Sequence, residues 1–324
     1  MKTGKVSGNA LKRSILQQIK TRRREVLNGA GSGEDCAVFA YDGETVVSCL
    51  WEGTLPISSV LIHCVNVMAS RNAEPVAAAL SILLPPDAEE SVLKGMMAEA
   101  ESICGEYGMQ IAQVRSRVTG AVREPWVTVT AYGKGLPGSR HTVKEICPDQ
   151  DIVLSKWIGL EGTALLAGRH RAHLLERYPA WLVEAAADFD RYLSTVPEAA
   201  IALKSGARAV QNVSEGGILA ALWELTEGAG VGLVIDLKKL PIRQETVEIC
   251  NRCDRNPYEL LSGGCLLMTG TDGQTLVKAL EDAGIPAAVV GKTTSGRDRL
   301  ILNGEETRYL DRPHADSIYE GEDD

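Results

Sequence analysis

Two short stretches of this 324-residue chain hold residue types and spacings that could do chemistry. In "GAGSGEDCAVF" (Gly29 to Phe39), a glycine-rich turn and two adjacent carboxylates, Glu34 and Asp35, stand directly before an apolar run. Glycine lets backbone approach a bound group closely, and a carboxylate at a strand end can hold a metal ion. The chemistry would be that of a loop wrapped around phosphate; a solvated acidic turn is the plainer reading of the same residues. In "NVSEGGILAAL", Ser214 and Glu215 precede Gly216 and Gly217, and the apolar period of a helix follows at once with Ile218, Leu219 and Leu222. A helix start with bare glycine backbone offers N–H groups and the positive dipole end to an anion. Glycines placed there only for tight packing would read the same way.

Other candidates are weaker. Cys250 and Cys253 form the only CxxC, with no second pair to complete a zinc set, and they fall late in a helical pattern. His170 and His173 lie in an Arg-rich stretch without acidic partners. Cys36 stands one residue into an apolar run, where burial is the expectation rather than nucleophilic use.

The elements that must position these residues alternate between strand and helix. Strands are expected at Asp35–Tyr41 and Thr45–Leu50, then a helix from Pro56 whose apolar residues Ile57, Val60, Leu61, Cys64, Val65, Met68 and Ala69 recur at helical spacing. "RNAEP" ends it, and "VAAALSILLP" reads as a buried strand. Asp87 is the expected cap of the next helix, with Glu90 as its reciprocal partner. "MQIAQVRSRVTG" and "WVTVTAYGKG" read as strands paired with each other. A turn-rich stretch then sets a domain boundary near Pro148, giving domains at 1–147 and 148–324. The second opens with the strand "DIVLSKWIG" and continues through strand, glycine turn, helix and strand over 207–237.

Bulk properties narrow the function classes. The net charge of −9 argues against a nucleic-acid partner, because phosphate contacts need clustered cations. No apolar stretch is long and clean enough to span a bilayer, and the opening residues lack the apolar core of a secretory signal. Eight scattered cysteines, several inside apolar runs, suit free thiols in a reducing cytoplasm.

Taken in order, "GSGEDCAVF", "VNVMASRNAEP", "CPDQDIVLSKWIGLEGTALLA", "NVSEGGILAALWELTEGAGVGLVIDLKKLPI" and "NPYELLSGGCLLMTG" resemble the aminoimidazole ribonucleotide (AIR) synthetase-like superfamily. The resemblance is strongest to its hydrogenase maturation branch, HypE, and covers nearly the whole chain from about Gly29. It implies an α+β fold of two domains: an N-terminal α/β domain with a mixed sheet that forms a homodimer, and a C-terminal α+β domain. It also implies ATP with magnesium. By resemblance, Asp35 stands at a metal-binding aspartate, Gly31 and Gly33 belong to a phosphate-covering loop, and Asn66, Ser214, Glu215, Gly216 and Gly217 fall in nucleotide-binding motifs. Lys156 would neutralise phosphate charge.

The departures matter as much. The family's Asn-Asp pair is Asn66-Val67 here, the aspartate that opens its later "DVSEGG"-type motif is Asn212, and a glycine-glycine-histidine-threonine turn is replaced by Gln113 to Ser116. One unit charge at about 4 Å contributes about 4 kcal/mol per unit of metal charge at an effective dielectric near 20. The lost carboxylates should therefore weaken metal-ATP severely. The favoured expectation is a noncatalytic or weakly nucleotide-binding relative, an assembly or regulatory partner with a possible protein partner. The competing one is an ATP- and magnesium-dependent enzyme that activates a carbonyl or carboxamide oxygen, or a small acceptor.

Overall fold

The computed structural model describes residues 8–31, 33–136 and 143–319. They group into two compact units: Arg22–Ala30 with Asp35–Arg140, and Met1–Thr21 with Gly31–Glu34 and His141–Asp324. The opening helix α1 (Gly8–Ala10) thus belongs with the second unit.

In the first unit, β1 (Val26–Asn28), β2 (Ala37–Tyr41) and β3 (Glu44–Gly53) lead into α2 (Ile57–Ser70), and then come β4 (Ala73–Leu84), α3 (Glu90–Glu106), β5 (Gln110–Val118) and β6 (Trp126–Gly135). They form one mixed sheet in the order β1-β2-β3-β6-β4-β5. Alternation along β3 buries Val47 and Cys49 on the α2 side, where the Cys49 thiol reaches the Cys64 carbonyl at 3.7 Å. The periodic apolar residues of α2 from Ile57 to Met68 are buried, as helical spacing requires, and Ala69 at its end is half-buried. The strand after α2 begins earlier than expected and includes Pro75, which the sheet tolerates at a bulge between Pro75 and Ala77, before β5 pairs from Ala77 onward. On the face opposite α2, Phe39 pairs with Val46, Ser48 with Tyr132, and Leu50 with Thr130. Leu50 and Tyr132 there remain 57% and 43% exposed, so this sheet face lacks a covering layer among the described residues.

Two local expectations are corrected. Asp87 does not cap α3: the Ala88 N–H closes a turn onto the Pro85 carbonyl, which delays the helix to Glu90, and Asp87 stays exposed. Nor do β5 and β6 pair with each other. A crossover through α3 sets β5 parallel to β4, while β6 inserts between β3 and β4 as an antiparallel neighbour of both.

The second unit contains β7 (Asp151–Ser155), α4 (Leu160–Arg169), α5 (Arg171–Leu175), α6 (Ala180–Ala187), α7 (Val196–Lys204) and β8 (Ala209–Asn212). These are followed by α8 (Gly217–Ala229), β9 (Gly232–Asp236), α9 (Gln244–Cys253), β10 (Leu266–Gly270), α10 (Gly273–Glu281), β11 (Ala287–Thr294), β12 (Arg299–Asn303) and β13 (Glu306–Tyr309). The sheet order is β13-β12-β9-β11-β7-β10-β8, with only β12 and β9 parallel. Strands β8 and β10 are buried at every position, so both of their faces are covered. One core gathers Ile152, Leu154, Ile218, Leu222, Leu233 and Leu267 around α8; a second joins α4, α6 and α9 through Leu166, Val183 and Ile249. Among the described residues no helix is long and apolar enough to cross a membrane.

Candidate ligand site

The turn from β8 into α8 is built on two glycines that no other residue replaces easily. Gly216 and Gly217 lie at φ +82 and +64, the left-handed region that glycine adopts without penalty. A Cβ on Gly217 would stand 2.5 Å from the Tyr258 carbonyl oxygen and 2.8 Å from that of Leu260. The chain passes so close because the Leu219 N–H donates to the Tyr258 carbonyl at 3.2 Å and the Ser262 N–H to that of Ser214 at 3.2 Å.

The acceptor that the helix start invites is supplied by a carboxyl of the protein itself. Asp316, only 1% exposed, accepts the Gly216 N–H on Oδ2 at 2.6 Å. Its Oδ1 accepts the Leu261 N–H at 3.1 Å and the Ile318 N–H at 2.8 Å. Burial pushes this carboxyl up to about 7, against the downward pull of the N–H donors from Ile318, Gly216 and Leu261. Nothing in "HADSIYE" marks Asp316 as functional, and sequence reasoning missed it.

Beside this turn lies a cavity of about 250 Å³, lined by Leu11, Lys12 and Gly33, by Glu215, Gly216 and Trp223 around α8, and by Arg299 and residues 312–314 and 316. Arg299 is fixed there by three contacts: its guanidinium lies 4.3 Å from the Trp223 ring centre, Nε donates to Thr226 Oγ1 at 2.7 Å, and Nη2 to Glu227 Oε2 at 2.8 Å. Lys12 also pairs with Glu227, and the two cations hold that carboxyl below its ordinary range, Lys12 contributing most. Gly33, at φ +74, must be glycine, since a Cβ would meet the Glu224 carbonyl oxygen at 2.7 Å.

Three residues singled out from the sequence, Gly33, Glu215 and Gly216, therefore come together at one cavity. Ser214 and Gly217 belong to the same turn without lining it, and Gly31 lies half-buried in the segment leading to Gly33. Ser32 lies outside the described residues. Asp35 and Asn66 belong to the other unit. Asp35 is half-buried two residues before β2, and Asn66 is 2% exposed inside α2. The Arg71 Nε–H lies 3.3 Å from Cys36 Sγ, yet burial outweighs that charge and pushes the thiol up to about 11. Cys36 is a core residue.

Lys156 has a different task from the one expected. It sits at φ +52, and its ammonium is buried against Glu198 Oε1 at 2.6 Å, the Tyr192 carbonyl at 2.8 Å and the Ser194 carbonyl at 2.7 Å. Three donors meet three acceptors, which leaves none for phosphate. Magnesium wants an oxygen-rich set. The position paired with Asn66 is Val67, apolar and 3% exposed, and no group of three or more His, Cys, Asp or Glu side chains among the described residues is arranged to hold an ion. The CxxC is structural as well, with Cys250 in the α4–α6–α9 core and its thiol pushed up to about 12 by burial.

Comparison with known proteins agrees with this architecture. Residues 148–303 match the family described as AIR synthase related protein, C-terminal domain. A carbamoyl dehydratase HypE of Rhodobacter capsulatus is 28% identical over 209 residues, 63% of this chain and 58% of its own length, so the match spans little more than half of that relative. The crystal structure of a HypE–HypF complex superposes with a TM-score of 0.72 at 17% identity, covering 94% of this chain and 100% of the other. That of a hydrogenase maturation protein HypE in complex with ATP gives 0.70 at 15% identity, covering 96% and 93%. Residues 148–303 thus match an AIR synthase-related C-terminal domain, and the fold of the chain, with its two mixed sheets, is similar to that of HypE.

Proposed function

We propose that this chain is a divergent, cytoplasmic member of the superfamily that serves hydrogenase maturation as an assembly or regulatory protein and binds nucleotide only weakly. The observation that carries this reading is the Gly216–Asp316 contact: an N–H group at the start of α8 is already bonded to an internal carboxyl at 2.6 Å. The committed donors of Lys156 and the apolar Val67 support it. The solved HypE–HypF complex makes a protein partner the natural place to look for activity.

Calorimetric titration with a nonhydrolysable ATP analogue should give weak heats that magnesium barely changes. Magnesium-dependent binding at about 1 μM, near −8 kcal/mol, would overturn the reading. It would favour the competing one, an ATP- and magnesium-dependent enzyme acting on a carbonyl, a carboxamide or a small acceptor, for which the cavity at Gly33, Glu215 and Gly216 is the best support.

We further propose a homodimer through the open face of the first unit's sheet. Phe39, Val46, Leu50 and Tyr132 offer an apolar surface that no layer covers among the described residues, and a stable symmetric pair would bury about 1,200–2,000 Å² in all. Light scattering at low micromolar concentration should report twice the chain mass, and Leu50→Glu should shift it to the monomer. A wild-type monomer at that concentration would end the proposal.

A further inference from the structure

Beyond β13 the chain forms a strap that is anchored at both ends and loose between them. At the near end Leu310 is buried, and its N–H donates to the Arg299 carbonyl at 2.7 Å. At the far end Asp316 takes its three N–H groups, the Ser317 N–H donates to the Glu259 carbonyl at 3.1 Å, and Ile318 packs into the core of Leu166, Leu174 and Ile249. Between the anchors Arg312, Pro313 and His314 wall the cavity beside α8. Arg312 and His314 are exposed, and neither makes an ion pair or hydrogen bond among the described residues.

We propose that Asp311–Tyr319 is a latch over this cavity, held shut by the Asp316 carboxyl and opened when that carboxyl is released into water. One side chain ties together three backbone sites: the start of α8, the loop before β10 and the strap itself. Removing it loosens all three at once, while the exposed middle of the strap offers little to hold it down.

The latch is also proton-linked. Closed, the carboxyl is pushed up to about 7 by burial; open, it returns to the ordinary range of about 4. The closed form therefore binds a proton that the open form gives up between those values. That stabilisation is complete below about pH 4 and lost as pH rises through about 7, after which opening no longer depends on this group. The charged neighbours are Glu215 at the α8 turn, Glu224 and Glu227 on α8, Glu259 in the preceding loop, Arg299 on β12, Arg308 on β13, Lys12 on the N-terminal segment, and Asp311, Arg312 and His314 on the strap. His314, on the strap itself, is the residue among them to control by substitution.

Hydrogen exchange on the full chain between pH 5 and 8, expressed as protection relative to intrinsic rates, tests the latch in peptides covering 311–319 and 214–220. Opening should increase up to about 100-fold between pH 5 and 7 and then level off. Asp316→Asn should abolish that slope, and His314→Gln should keep it. A flat wild-type profile, or the same slope without the carboxyl, would refute the proposal. If the Asn variant fails to fold, the His314→Gln profile decides, since loss of the slope there assigns it to the histidine. Because no nucleotide is needed, this outcome is independent of whether ATP binds.

Discussion

Lys156→Ala should lower stability by about 3–5 kcal/mol, read as a shift of the urea midpoint, because it strands a buried carboxylate. Glu198 is 2% exposed and its partner ammonium lies 2.6 Å away, so the charge left behind has neither water nor a cation. The carbonyls of Tyr192 and Ser194 lose their donor in the same stroke. Replacing both ends of the pair, Lys156→Met with Glu198→Leu, should recover the part owed to the stranded carboxylate, since apolar residues of similar volume need no pairing, while the Tyr192 and Ser194 carbonyls still lack their donor. The double-mutant cycle would then show strong coupling. A single-variant loss below about 1 kcal/mol, the range of an exposed pair, would mean that this ion pair is wetter than its burial implies.

Gly217→Ala should be the most damaging substitution in the α8 turn, costing about 2–6 kcal/mol from backbone strain and overpacking together. The new methyl would need to sit 2.5 Å from one carbonyl oxygen and 2.8 Å from another, on backbone that cannot yield without breaking the Leu219–Tyr258 bond. Gly168→Ala is the matched control: it lies inside α4 with nothing within 4 Å of the added carbon. A helix gains up to about 1 kcal/mol from that change. Thermal melts of the two variants should therefore move in opposite directions, and equal losses would show that the clash at Gly217 relaxes easily.

Local periodicity made much of this fold legible. The stripe on α2, the apolar runs of β7 and β10 and the glycine turn before α8 all follow from neighbours in the chain. Pairings across distance did not. The insertion of β6 between β3 and β4 depends on a crossover through α3, to which strand propensity is blind. Helices α5 to α7 fall in a stretch that mixes Arg, Asp and Pro with short apolar runs, and β13 is exposed at every position, so neither gives a clean period. At the candidate site the glycines were visible because backbone geometry demands them. Lys156 looked available because Glu198 lies 42 positions away, and Asp316 looked incidental because its three donors come from Gly216, Leu261 and Ile318.

The division of the chain into its two units also bears on how such a protein can be cut and recombined. The backbone passes between units four times, after Thr21, Ala30, Glu34 and Arg140. A gene fragment that encodes only the matched family domain, residues 148–303, would omit Lys12 and Gly33 at one wall of the cavity and the Asp316 strap at another. Such a fragment would transplant six of the sheet's seven strands, without β13, but not the site. New functions in this lineage are therefore easier to reach by substitution in the intact chain than by shuffling its halves.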